Sequence, residues 1–437
     1  MAFEGELLLG LTIFLVSVGL IVSRVVDEVS AALLGVVAMI ILLKGYTVEE
    51  AFGYIDWDII AILLGMWIIT GYMIKAGLAE WTVGKLLHVT RDYRIIIVLL
   101  AIASGFLSIL VDNVIVILIF GSVAAKLAKD AGGSIAKAII LVGLSANFMG
   151  TALLMGDLPP QLLHSVAGME FLDFIVWRGA PSSFPLLTLT FLAVIYLYYK
   201  TVMSSEPSEE VEEEYGENVD RLLLAVSSAF FTATIIGMAL RPRLGVPLGF
   251  ITVTGAALLS ITVEALRLRV KRLPSFKEII EDVEWRALLF YASLFSLVGG
   301  LEASGALEAA AKGMLNALKG GVFEGYTTSF WTVALLSTFV EHDALLITFL
   351  YLMKEVAHSL PYHVEILYWG MAWSATLASN LTTAAAPALY VAVTLVEKET
   401  GEKLRGSQFI RLSAPFVVFS LVIHYLLTAI LWLPLVS

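Results

Sequence analysis

The feature that most constrains this chain is a series of apolar stretches, most of about 17 to 25 residues, joined by short polar turns. At 1.5 Å of rise per helical residue, stretches of that length cross a hydrocarbon core about 30 Å thick. Charged residues make up 15% of the 437 positions, against roughly 25% in soluble domains. The chain therefore reads as an all-α polytopic membrane protein. A transmembrane barrel is not expected, since its strands would alternate with period two in runs of about ten.

Ten crossings are expected, near residues 5–22, 30–45, 57–75, 138–160, 183–200, 221–241, 245–265, 285–303, 365–391 and 411–434. Lysine and arginine gather in four groups: Lys85/Arg91/Arg94, Lys126/Lys129/Lys137, Arg267/Arg269/Lys271/Arg272/Lys277 and Lys398/Lys403/Arg405/Arg411. The positive-inside rule places all four in the cytoplasm. The apolar stretch 95–125 is basic at both ends, so it must enter and leave on one side. A re-entrant hairpin with its tip near Asp112 and Asn113 satisfies that parity; two short full crossings are the alternative. With the hairpin, both termini lie outside.

The net charge of −11 argues against nucleic acid as a partner, and the absence of cysteine excludes disulfides, thiolate metal sites and thiol redox chemistry. Part of the acidity is local: EPSEEVEEE at 206–214 reads as a solvated, flexible linker. The N-terminus opens with acidic residues and has no evident cleavage site, so its first apolar stretch reads as a retained helix.

The chain matches itself at an offset of 228: residues 55–80 lie over 283–308, with Trp57/Trp285, Gly71/Gly299, Gly77/Gly305 and Glu80/Glu308 as fixed points. LSILVDN (107–113) lies over LSTFVEH (336–342) at 229, which sets Ser108 on Ser337 and Asp112 on Glu341. NFMGTALLMGDLP (147–159) lies over ATLASNLTTAAAP (375–387), with Pro159 on Pro387. The basic groups send the span at 57 inward and the span at 285 outward, so the repeats are inverted. Inverted repeats are typical of secondary transporters with a midplane site. The expected divisions are 1–54 (scaffold helices), 55–202 (first repeat), 203–220 (acidic linker), 221–282 (scaffold helices and basic loop) and 283–437 (second repeat).

Ionisable groups inside spans are costly and mark function first. Asp112 lies in an apolar stretch, where the plain alternative is a helix cap shared with Asn113. Glu341, His342 and Asp343 occupy the matching place in the second half, as a proton or cation relay or else a wet loop. SANFMGTALLMGDLPPQ (145–161) interrupts an apolar stretch with Asn147, Gly150, Thr151, Gly156 and Asp157. Its counterpart is SNLTTAAAP, with Ser379, Asn380, Thr382 and Thr383. Broken helices expose amides, carbonyls and dipole ends that hold ions or polar solutes, whereas small residues alone would serve packing. His88, His358 and His363 read as interfacial polar residues, and His164 lies near an outer vestibule. No zinc-protease spacing, nucleophile motif or phosphate loop occurs, so an enzyme is not expected. Nine tryptophans and fifteen tyrosines suit interfacial belts.

These motifs resemble the ion transporter superfamily: arsenite efflux permeases of the ArsB kind, the melanosomal P protein and NhaD-type sodium/proton antiporters. The resemblance covers nearly all the chain and is sharpest over 55–182, where Asp112-Asn113, Asn147, Gly150, Gly156-Asp157, Pro159 or Pro160 and Phe171-Leu172-Asp173-Phe174 are kept. Departures are Met149, Leu153 or Leu154, Gln161, and in the second half Glu341-His342 for Asp-Asn. The resemblance implies a scaffold and a mobile transport domain, two opposed hairpins, a homodimer and elevator-like movement.

The leading expectation is a multi-pass cell-membrane transporter of a small inorganic ion or oxyacid, by arsenite-type efflux or Na⁺/H⁺ antiport. Asp112, Asn113, Asn147, Thr151, Gly156 and Asp157 would line one half-site. Ser337, Glu341, His342, Asp343, Ser379, Asn380, Thr382 and Thr383 would line the other. Na⁺ would sit at Asp112, Asn147, Asp157 and Asn380, with Na⁺ or H⁺ as coupling ion and no other cofactor. Alternatives are a sodium-coupled di- or tricarboxylate transporter and a channel-like or sensory membrane protein.

Overall fold

The computed structural model describes residues 2–23, 25–207 and 219–436. Residues 208–214 of the acidic run, and with them most of the expected linker, lie outside the described residues. Glu206 is not a solvated linker residue: it pairs with Lys137 Nζ at 2.6 Å and accepts the Ser134 N–H at 2.7 Å.

The chain begins with α1 (Ala2–Ser23), α2 (Glu28–Leu42) and the short α3 (Val48–Gly53). The first repeat follows as α4 (Trp57–Lys75), α5 (Leu78–Leu87), α6 (Tyr93–Ser108), α7 (Asn113–Asp130), α8 (Ile135–Met149) and α9 (Leu158–Ala167). An antiparallel ribbon of two residues per strand, Val176–Trp177 with Ala180–Pro181, is the small exception to the all-α expectation. Then come α10 (Ser183–Thr201), α11 (Arg221–Ala239), α12 (Arg241–Leu244), α13 (Leu248–Arg267) and α14 (Phe276–Glu281). The second repeat is α15 (Trp285–Ala303), α16 (Ala306–Leu318), α17 (Val322–Ser337), α18 (His342–Ala357), α19 (Glu365–Ser379) and α20 (Pro387–Thr400). The chain closes with α21 (Gly406–Leu431) and α22 (Leu433–Val436).

Among the described residues, seven helices are long and apolar enough to cross a membrane: α1, α4, α10, α11, α13, α15 and α21. The shorter α2, α6 and α8 are apolar as well. The stretches 138–160 and 365–391 are not continuous helices, because α8 stops at Met149 and α19 at Ser379. Each break ends at a proline-bearing first turn, where a missing N–H costs the new helix nothing.

Helix boundaries reproduce the internal repeat. α4 and α15 are both 19 residues long and lie 228 positions apart. α6 and α17, both of 16 residues, lie 229 apart, and α8 and α19, both of 15, lie 230 apart. The drift corrects the match of 147–159 onto 375–387: Asn380 stands at the helix-ending position of Gly150, and Pro387 opens its helix where Leu158 opens α9.

The repeats run in opposite directions. Lys75, at the end of α4, pairs with Asp282, just before α15, at 2.7 Å. At the other end, Ser296 of α15 donates to the Ala51 carbonyl at 2.9 Å, and Gly299 lies against Tyr54, just ahead of α4. The halves also exchange parts. α9 packs on α18 and α19 of the second repeat, and α20 packs on α7 and α8 of the first. The leading pairs are traded likewise, α1 and α2 onto α15, and α11 and α13 onto α4. Backbones touch where α4 and α13 cross: a Cβ on Gly65 would lie 2.5 Å from the Thr252 carbonyl carbon.

Candidate functional site

Where the exchanged halves meet, a cavity of about 520 Å³ runs from Asn147, 1% exposed, out to the exposed Asp27 and Arg286. It is lined by Asp112, Asn113, Asn147 and Asp157 from the first repeat and by Glu341, His342 and Asp343 from the second. Both hairpin tips are built alike. Asp112 caps α7 through the amides of Val114 (2.8 Å) and Ile115 (3.4 Å), and Glu341 caps α18 through those of Asp343 (3.1 Å) and Ala344 (2.7 Å). Each carboxylate thus satisfies orphan amides of its own helix and still faces the cavity.

The next position separates the halves. Asn113 accepts from the Ser108 hydroxyl and donates to Asp157 Oδ2 at 2.8 Å, tying the first hairpin to the first broken helix. His342 takes its place in the second half. Its Nδ1 lies 3.0 Å from the Ala385 carbonyl, which can only accept, so Nδ1 carries the proton. Its Nε2 lies 3.5 Å from Asp343 Oδ1, and neither atom has a hydrogen-bond partner among the described residues. Ser337, the counterpart of Ser108, is buried, and its hydroxyl has no partner among the described residues. The N-cap of α20 is Ala386, where α9 has Asp157, so the second half draws its carboxylate from Asp343 on the hairpin instead. Ligand atoms of Glu341, His342 and Asp343 lie within 4.8 Å of one another, which suits a cation.

Other expected residues shape the site from behind. Thr151 hydrogen-bonds Thr376 across the repeats at 2.7 Å and lies off the cavity lining. Gly156 serves a close approach, since a Cβ there would lie 2.1 Å from the Gly150 carbonyl oxygen. Ser379 and Asn380 receive the Asn147 amide at 3.2 and 3.4 Å. Thr382 donates to the Thr338 carbonyl at 2.7 Å, and Thr383 sits in the same break. The set named for Na⁺ is split: Asp112, Asn147 and Asp157 line the cavity, whereas Asn380 is behind Asn147.

Sequence reasoning missed Glu284, Arg286, Asp27 and Tyr291. Glu284 and Arg286 flank Trp285 at the cavity mouth, and Arg286 pairs with Asp27, the cap of α2. The repeat could have found them, because Asp56 and Asp58 flank Trp57 at the same offset. Tyr291 lines the same cavity as Asp343. The opposite end is shut: Ser165 at the end of α9 donates to Asp56, and His164 Nε2 lies 3.9 Å from Asp58. His164 therefore belongs to this closed end.

A family model described as "Citrate transporter" (CitMHS) matches residues 18–378. The chain belongs to this family. It is a multi-pass secondary transporter of the citrate transporter family, and not an enzyme. An "Uncharacterized transporter" of Mycobacterium tuberculosis is 26% identical, covering 98% of each chain. The human P protein is 23% identical over 94% of this chain and 58% of its own length. The YdaH transporter of Alcanivorax borkumensis shares the fold, with a TM-score of 0.59 at 13% identity over 89% of this chain and 87% of that one. The superfamily resemblance read from the motifs thus resolves to its citrate transporter branch, and a channel-like role gains no support.

Proposed function

We propose that the cavity is the transport site, and that it takes a cation or an oxyacid whose charge is cancelled by cations or protons. One observation carries this reading. Asp112 and Asp157 of one repeat and Glu341 and Asp343 of the other face a single space whose basic side chains, among the described residues, are His342 and Arg286. Such a lining attracts Na⁺ or H⁺ and repels a bare polyanion. A neutral oxyacid such as arsenite would use the Asn113 and Asn147 amides.

Alternating access follows from the exchanged repeats. The mouth lies at the Lys75–Asp282 end of α4, the side the basic groups assign to the cytoplasm, so this is an inward-facing state. The Ser165–Asp56 contact would hold the outside shut. In the opposite state α20 would close onto Glu284 and Arg286, the counterparts of Asp56 and Asp58, while α9 lets go. The two hairpins would be re-entrant and ride with the broken helices as an elevator against α4, α11, α13 and α15, in a homodimer.

The family's description favours a second reading, a di- or tricarboxylate as cargo. It would enter this cavity only with protons or metal cations neutralising it. Reconstitution in liposomes holding an internal pH dye separates the two. Proton movement driven by a Na⁺ gradient alone supports the cation antiporter. Movement only with citrate plus a divalent cation, or only with arsenite, makes the site a solute pocket.

A further inference from the structure

Away from the transport cavity, a groove of about 510 Å³ runs along the outer face where α4 meets α13. Leu64, Ile68, Val253, Ala257, Ile261 and Phe276 line it, so its floor is carbon. At one end it meets Glu264, which also lines a second depression formed with Arg267, Leu268 and Lys271. The two hollows share that residue. The Glu264 carboxylate is engaged, accepting the Phe276 N–H at 2.7 Å and lying 3.7 Å from Arg267 Nη1. Arg267 also donates through Nε to the Leu273 carbonyl at 3.1 Å, which orients its guanidinium at the rim. Lys271 makes no ion pair among the described residues, and Leu268 beside it is 85% exposed.

We infer that this groove and its rim form a binding site for a glycerophospholipid with an acidic headgroup. An apolar channel opening onto the bilayer is filled by an acyl chain. Arg267, the last residue of α13, and Lys271, in the turn that follows it, would hold the phosphate where the basic loop meets the membrane surface. Leu268 would dip into the same interface. A second copy of the chain fits the rim less well, because a two-fold contact over this face brings its own basic patch against this one.

Native mass spectrometry of the detergent-purified protein, titrated with phosphatidylglycerol and with phosphatidylcholine of identical acyl chains, tests this. The wild type should retain one phosphatidylglycerol in preference to phosphatidylcholine. R267Q/K271Q should lower that preference by about an order of magnitude while leaving chain binding intact. A257W, which fills the groove, should weaken both lipids. R269Q/K277Q, in the same basic loop but off the groove lining, should behave as wild type. Equal binding of the two lipids to the wild type, or an unchanged preference in R267Q/K271Q, would overturn the proposal. So would a loss of dimer in A257W with lipid retention unaltered, since the groove would then be covered by a second copy.

Discussion

Asn147, in the last turn of α8, donates from Nδ2 to Ser379 Oγ at 3.2 Å, joining the ends of two helices that belong to opposite repeats. The same amide reaches Asn380 Oδ1 at 3.4 Å, and all three residues are buried. Buried polar groups left without partners cost about 1–3 kcal/mol each. Asn147→Ala should therefore lower stability by about that amount, read as a fall in melting temperature in detergent micelles. An unchanged melting temperature would show that the joint bears no load.

His342 offers an independent test, because the first repeat supplies its natural replacement. Asn at 342 can still donate to the Ala385 carbonyl, as Asn113 donates to Asp157, but it removes the Nε2 that faces Asp343. His342→Asn should fold like the wild type and lower cation-driven flux, because the Nε2 facing Asp343 is lost. Flux equal to wild type in proteoliposomes would remove His342 from coupling.

The closed end can be locked covalently, since the chain has no cysteine to interfere. Asp56→Cys with Ser165→Cys places two thiols where a side-chain hydrogen bond now joins α9 to the cap of α4. Oxidation should stop transport, and reduction should restore it. Full activity of the oxidised protein would mean that α9 does not leave α4 during the cycle.

Outside the membrane, Arg272 holds the Asp220 carboxyl below the usual carboxylate range through a side-chain hydrogen bond with Nε at 2.7 Å. Asp220 also caps α11 through the amides of Leu222 and Leu223, both at 3.1 Å. A depressed folded value stabilises the protein above the unfolded value of about 3.9. That contribution fades as pH falls through the folded value. Asp220→Asn should lower the melting temperature at neutral pH and converge on the wild type below about pH 4, so that the acid limb of the profile flattens. An acid limb identical to wild type would contradict this.

Much of the fold was legible because it is written in local signals. Apolar length marks spans, Gly and Pro mark the breaks after Met149 and Ser379, and repetition near 228 marks the halves. The caps Asp112 and Glu341 were legible for the same reason, each being the polar residue before an apolar helix. What stayed hidden depends on which element is exchanged. Glu284 and Arg286 look like ordinary interfacial charges until α2 lies against α15, and Thr151 looks like a cavity residue until it meets Thr376. The joint between Asn147 and Asn380 was concealed by a register that drifts by two residues between α4 and α8.

Asp112 remains the centre of the functional account, since it faces the cavity from a hairpin tip while capping α7. The most direct test is cation-driven flux in proteoliposomes, comparing the wild type with Asp112→Asn. Asn preserves an acceptor for the Val114 amide, so the fold should survive while the charge is lost. Coupled flux should fall by at least about a hundredfold, as expected for an intramembrane carboxylate that binds the coupling ion. Full gradient-driven flux in Asp112→Asn, with the protein folded and inserted, would contradict it.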